Sequence, residues 1–263
     1  MKPINLTNIL YSQTLRENVT RSRKQRHYPS SACAIVDNTF YGKCRRATWY
    51  DWNGIKITDP IDAPALFKMS VGNLIHDHLS GILNRALADL GFNIEDLQGE
   101  GLGEEVALLW NVPELEYPVS GRMDKRLIRP DDGLRLVIEW KSIYGRGADF
   151  VKRDGPKEDN LLQCAMYLEQ DVYPVDAVAL MYATRDSGYV FGYWLTKNGQ
   201  GMQIDHMGST KVTFTPLGWA GVLRGLVSLE AGLRFDEPPD RDYGLKDWQC
   251  SYCSYKSLCW GSK

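Results

Sequence analysis

A chain of 263 residues with a formal net charge of −2 can bury a sizeable core, and it carries no global charge that announces a polyanion partner. Any nucleic-acid surface must therefore be a local patch. There is no apolar run of about 18 residues, and the start MKPINLTNIL lacks the apolar stretch of a signal peptide, so the sequence reads as cytoplasmic, with no membrane partner. Thiols stay reduced there, which makes the six cysteines better candidates for ligands or core residues than for disulfides.

Near the N-terminus Arg16, Arg21, Arg23, Lys24, Arg26 and His27 crowd together with little acid among them. They read either as a nucleic-acid-binding arm or as a solvated terminus. Residues 30–60 are rich in turn residues and contain YGKCRRATWYDWNG. Val71, Leu74, Ile75, Leu79, Ile82, Leu83, Ala86, Leu87 and Leu90 then recur at three- and four-residue steps, which predicts a helix from Asp62 to about Leu90, ended by Gly91. Strands are expected at 104–112, 117–129 and 134–143, the last two joined by the turn PDDG, as an antiparallel meander. The stretch YGRGADFVKRDGPKE, 144–158, reads as a mobile, partly cationic loop. A helix at 158–171, strands at 176–184 and 189–196, and a helix at 216–234 complete the pattern before a cysteine-rich tail.

This order predicts an α/β fold with a central mixed β-sheet flanked by helices. It is expected to form a single domain, with 1–60 as an N-terminal segment, 61–200 as the core, and 201–263 as a C-terminal helix and cysteine segment.

Inside LRLVIEWKSIYG, Glu139 and Lys141 would share one face of a strand and Trp140 the other. One reading is an ion pair on a half-exposed strand. The other is a metal site. Asp124, in GRMD, lies fifteen residues earlier, and a strand, a turn and a returning strand can bring it alongside Glu139. Two carboxylates and the Trp140 carbonyl suit a hard cation, and a lysine beside them can orient a water or offset charge on a phosphate.

G-x-x-D followed by E-x-K resembles the core of the PD-(D/E)XK nuclease superfamily. Gln163 and Tyr167, at i and i+4 on the next helix, form a Q-x-x-x-Y similar to that of the RecB-like branch, which includes the AddB nuclease domain and the CRISPR adaptation nucleases. Gly72 and His76 match the G-x-x-x-H motif of that branch. Helical periodicity alone does not choose between His76 and His78, but the motif selects His76. Glu104 or Glu105 is a further candidate supporting acid.

The tail WQCSYCSYKSLCW supplies Cys250, Cys253 and Cys259, one thiolate short of a tetrahedral site or a cubane. Cys33, Cys44 and Cys164 are the candidates for the fourth ligand, Cys164 reading rather as a small core residue. The resemblance selects Cys44, with Cys33 as the alternative. It departs from the pattern at Arg45, where many relatives have proline.

The resemblance implies a restriction-endonuclease-like core and a structural 4Fe-4S cluster on Cys44, Cys250, Cys253 and Cys259 that joins the N- and C-terminal segments, structural Zn2+ being the alternative. It implies that His76, Asp124, Glu139 and the Trp140 carbonyl hold Mn2+ or Mg2+, that Lys141 aligns a water, and that Gln163 steadies Lys141 or the backbone around it. Tyr167, Arg146, Lys152 and Arg153 would engage DNA, while Trp49 and the tail aromatics read equally as stacking surfaces for single-stranded bases or as core. The implied activity is that of a Mg2+/Mn2+-dependent deoxyribonuclease, an exonuclease on DNA ends or single strands. A non-cutting DNA-end-binding scaffold is the alternative, as is a subunit of a CRISPR spacer-acquisition complex. Homo-oligomers and CRISPR or recombination proteins are the partners this allows.

Overall fold

A computed structural model of the chain describes residues 12, 13, 15, 25–90, 103–234 and 237–261. A short 3-10 turn, Pro29–Ser31, precedes a hairpin of β1 (Cys33–Val36) and β2 (Thr39–Gly42), and then come α1 (Arg45–Trp52) and the long α2 (Ala63–Asp89). β3 (Gly103–Trp110), β4 (Val119–Ile128) and β5 (Arg135–Ile143) lead into α3 (Gly145–Asp154) and α4 (Glu158–Glu169). β6 (Ala177–Thr184), β7 (Val190–Asn198), β8 (Gly201–His206) and β9 (Val212–Thr215) are followed by α5 (Trp219–Arg234), α6 (Trp248–Ser251) and α7 (Lys256–Trp260).

The fold is α/β, with one seven-stranded sheet in the order β3-β4-β5-β6-β7-β8-β9. Every neighbouring pair is antiparallel except β5 and β6, which run parallel because the connection between them carries α3 and α4.

β5 is buried on both faces, and its alternation assigns each side chain a layer. Val137 and Ile143 join the main core with Leu162, Met166 and Tyr167 of α4 and with α5, while Ile138 and Trp140 face the other way, toward Leu79, Leu83 and Leu87 of α2. The predicted helix at α2 forms, and Asp62 caps it by accepting the Ala65 amide at 2.8 Å. Gly91, the expected stop, lies outside the described residues.

Three sequence expectations change. The expected loop at 144–158 is largely helix α3: Ala148 and Val151 are buried, and their spacing gives the segment an inward face that outweighs its glycines until Gly155, at φ 98°, ends it. The β1–β2 hairpin was hidden in the turn-rich stretch, although Asp37 and Asn38, at φ 47° and 63°, form the two-residue loop their side chains tolerate. The core sheet also runs past residue 200, because β8 and β9 extend it to Thr215 after a two-residue loop, Gly199 and Gln200, with Gly199 at φ 59°.

Candidate active site and cysteine pocket

β4 and β5 pair only from Lys125↔Ile138 to Ile128↔Arg135. One residue further along, at Asp124 and Glu139, the two strands part. The ladder hydrogen bond that would have continued there is replaced by a side chain, as Asp124 Oδ2 accepts the Trp140 amide at 2.8 Å. In an extended strand the N–H and C=O of one residue leave on the same side, so the Trp140 carbonyl faces the same fork as Asp124.

Glu139 and Lys141 point together into the α4 layer, as the strand period requires. Lys141 Nζ donates to Glu139 Oε1 at 2.6 Å and to Gln163 Oε1 at 2.8 Å. The Gln163 amide nitrogen donates at 2.8 Å both to Glu139 Oε1 and to the Tyr167 hydroxyl, which in turn donates to the Arg122 carbonyl at 2.7 Å. This continuous network links β5, α4 and β4. Glu139 is 2 % exposed, and its second oxygen, Oε2, is buried with no hydrogen-bond partner among the described residues.

Burial dominates the electrostatics. It pushes Glu139 up to about 7, against the opposing pull of Lys141 and with the Asp124 charge adding to the rise. Asp124 is raised by burial despite its bond from the Trp140 amide and the charge of Lys141. For Lys141, burial works against the ammonium, but Glu139 and Asp124 outweigh it and its affinity for the proton rises.

His76 reaches the fork from α2, with Nδ1 3.9 Å from Asp124 Oδ2. Burial lowers its proton affinity more than Asp124 restores it, which favours the neutral imidazole that ligates metals. His78 is exposed. Among the described residues, no group of three or more His, Cys, Asp or Glu side chains is arranged to hold a metal ion.

Tyr167 is fully buried, so it cannot touch DNA as expected; it anchors Gln163 instead. Glu105 is exposed and pairs with Arg122 at 2.7 Å, its charge adding to the rise at Asp124, while the Glu104 side chain lies outside the described residues. Arg146, Lys152 and Arg153 stand on α3 against exposed rings, Arg146 and Arg153 over Phe150 and Lys152 over Tyr189 at 3.9 Å. Trp49 is buried with Ala47, Tyr50 and Tyr255, which settles it as core. Arg16, Arg21, Arg23 and Lys24 lie outside the described residues, and His27 is no part of a solvated arm: it is buried, with Nε2 2.7 Å from Glu230 Oε1.

Cys44, Cys250, Cys253 and Cys259 line one pocket between the start of α1 and the two C-terminal helices, together with Arg46, Arg241 and Lys256. Burial raises the Cys250 thiol, and Cys253 and Cys259 add to the rise. Cys33 and Cys164 are buried in the main core instead.

Sequence reasoning missed the polar contacts that tie the segments around this pocket together. Arg45 donates to Asp242 through its backbone amide at 2.7 Å and through its guanidinium, Tyr243 donates to the Gly42 carbonyl at 2.6 Å, and Tyr255 donates to Asp51 at 2.6 Å. The residue that departs from the resembled pattern thus ties the N-terminal segment to the C-terminal one.

Neither protein-family models nor curated proteins give a match to this chain. Among solved structures, one titled "Crystal structure of SSO0001" matches with a TM-score of 0.51 at 16 % identity, over 98 % of this chain and 98 % of that one. The likeness shows the fold alone. It extends over almost the whole of both chains, so the sheet and the segments around it belong to one shared architecture. No helix among the described residues is long and apolar enough to cross a membrane.

Proposed function

We propose that this protein is a metal-dependent nuclease of the RecB-like, restriction-endonuclease-like kind, hydrolysing DNA phosphodiester bonds at ends or in single strands. The observation that carries this reading is Glu139. A buried carboxylate with one oxygen held by Lys141 and Gln163 and the other without a partner is costly unless a proton or a metal cation completes it, and the cation takes the place of the proton as pH rises.

Asp124, the Trp140 carbonyl and His76 stand at the same fork beside Glu139; the side chains are not gathered around one point, but as donor types they match the group, two carboxylates and a carbonyl for a hard cation with a neutral imidazole that suits Mn2+ as well as Mg2+. A divalent ion bound there would supply Lewis acidity and a water of lowered pKa.

The chain's own residues do the rest. Two of the three Lys141 N–H groups are held by Glu139 and Gln163, which leaves the third for an attacking water or a phosphate oxygen. Gln163 fixes the ammonium, and Tyr167 fixes Gln163. The cations and exposed rings of α3, which begins two residues after the end of β5, offer a surface for a sugar-phosphate chain and its bases.

The pocket of Cys44, Cys250, Cys253 and Cys259 matches a 4Fe-4S cluster or Zn2+ equally in donor type, since four cysteine sulfurs that lose their protons on binding suit either. We assign iron on the resemblance of the cysteine spacing, with a structural role in joining the terminal segments.

The test is direct. Labelled single-stranded and duplex DNA incubated with Mn2+, Mg2+ or EDTA should be degraded in the metals and spared in EDTA. Stable binding without cleavage in any metal would replace this reading with a non-cutting DNA-binding protein.

A further inference from the structure

Arg185 follows β6 directly, and its amide extends the ladder by donating to the Ile143 carbonyl at 2.8 Å. Its guanidinium is used on two elements at once. Nε donates to Ser142 Oγ at 3.2 Å, and Nη2 donates to Ser142 Oγ at 3.0 Å and to the Ser142 carbonyl at 3.2 Å. Nη1 crosses to α2 and donates to the Lys68 carbonyl at 3.0 Å. The Tyr144 ring lies beneath the guanidinium, its centroid 5.6 Å away.

The guanidinium grips α2 beside a glycine, Gly72. A Cβ built on Gly72 would lie 2.9 Å from Ser142 Oγ and 3.4 Å from Arg185 Nη2. A glycine lets the helix come this close to the end of β5 without displacing the Ser142 hydroxyl or the guanidinium. Ser142 follows Lys141, and His76 stands one turn beyond Gly72. The contact therefore sits between the strand that carries Glu139 and Lys141 and the helix that carries His76.

We propose that Arg185 is a positioning residue for the metal site, acting through Gly72 and Ser142 to hold His76 at the fork beside Asp124. The planar fork of an arginine is needed because three acceptors on two elements must be met from fixed directions; a lysine would satisfy one at a time. The proposal rests on the reading of the fork as a cation site and assigns a residue outside the recognised motifs to it.

The test is a double-mutant cycle read by Mn2+ binding to the otherwise metal-free full chain, followed by the loss of the free-ion electron paramagnetic resonance signal. Arg185→Gln is expected to weaken Mn2+ binding roughly 10–100-fold, as removal of an outer support does at metal sites. In a His76→Ala background the same change should matter less than about twofold, because there is no imidazole left to position. Gly72→Ala, which enters the same contact from the helix side, should reproduce the pattern, and Arg185→Lys should recover only part of the loss. Thermal midpoints of all variants report whether the fold survives. Equal weakening in both backgrounds, or none in either, would overturn the role of Arg185 alone. Failure of the unaltered protein to bind Mn2+ would overturn the cation-site reading and this proposal with it.

Discussion

The Tyr167 hydroxyl donates to the Arg122 carbonyl at 2.7 Å, tying α4 to β4 two residues before Asp124. The same hydroxyl accepts from Gln163, so one buried phenol sets the distance between the Lys141 network and the acid at the fork. Tyr167→Phe removes both bonds and leaves the ring in place. We expect a stability loss of about 1 kcal/mol from the missing hydrogen bonds and a fall in kcat with little change in KM, because the phenol touches no substrate. Steady-state kinetics on labelled DNA checks this, and a rise in KM alone would argue for substrate contact.

Asp124→Asn keeps an oxygen to accept the Trp140 amide while removing the charge. Cleavage should fall by roughly 100-fold or more, with the thermal midpoint nearly unchanged, since the electrostatic part of the site is lost and the hydrogen bond is not. Asp124→Ala, which also frees the amide, should lower stability by about a further 1 kcal/mol. Circular dichroism melts together with single-turnover cleavage separate the two effects.

Burial raises Glu139 from 4.5 to about 7. A carboxyl with a raised folded-state pKa contributes stability that is fully present below its unfolded value and is lost as pH rises through the folded one. In EDTA the thermal midpoint should therefore decline between pH 4.5 and about 7, the window set by this shift. Mn2+ binds the carboxylate in competition with the proton, so its affinity should increase across the same interval and offset the decline. Glu139→Gln, which does not titrate, should flatten this dependence. Midpoints measured against pH with and without Mn2+ provide the comparison.

Glu230 is a structural hub far from the fork in sequence. It holds buried His27 and accepts the Glu116 and Tyr117 amides at 2.8 and 3.0 Å. Glu230→Ala leaves the buried His27 ring nitrogen and two partly buried amides without their acceptor and should cost about 3–5 kcal/mol, or on the order of 10 °C in midpoint. His27 is lowered by burial, which outweighs the help from Glu230. Its contribution is present above the usual imidazole value and lost as pH falls below it, so acid should destabilise the wild type here and have less effect on His27→Gln. Chemical denaturation at pH 5 and pH 8, values on either side of the unperturbed imidazole pKa of about 6.5, tests both statements.

Each of Cys44→Ser, Cys250→Ser, Cys253→Ser and Cys259→Ser should abolish iron uptake and the visible absorption of anaerobically purified protein. Cys33→Ser should retain both, because Cys33 packs in the main core. The Arg45–Asp242 clamp holds the terminal segments together through protein contacts, so the iron-free protein should remain folded. Metal analysis and melting curves check this, and zinc in place of iron would overturn the iron assignment and spare the nuclease reading.

The period of the sequence by itself determined the layered fold. Three- and four-residue steps marked α2, the alternation in LRLVIEWKSI assigned Glu139 and Lys141 to one face and Trp140 to the other, and the spacing of Gln163 and Tyr167 placed both on one helical face. These are local properties, because a helix or strand fixes the directions of its own side chains. Short hairpins such as β1–β2 and β8–β9 escaped because strands of four to six residues are too short to leave a clear period, and α3 escaped because its glycines argue for a loop until the burial of Ala148 and Val151 is seen. Only the tertiary structure decided that β4 and β5 part at Asp124, that Tyr167 is enclosed, that His27 meets Glu230, and that Arg185 and Arg45 lock segments distant in the chain. Those are contacts between elements, set by how packed layers exclude water and leave each buried polar group to find a partner, and the spacing of residues along one element carries no record of them.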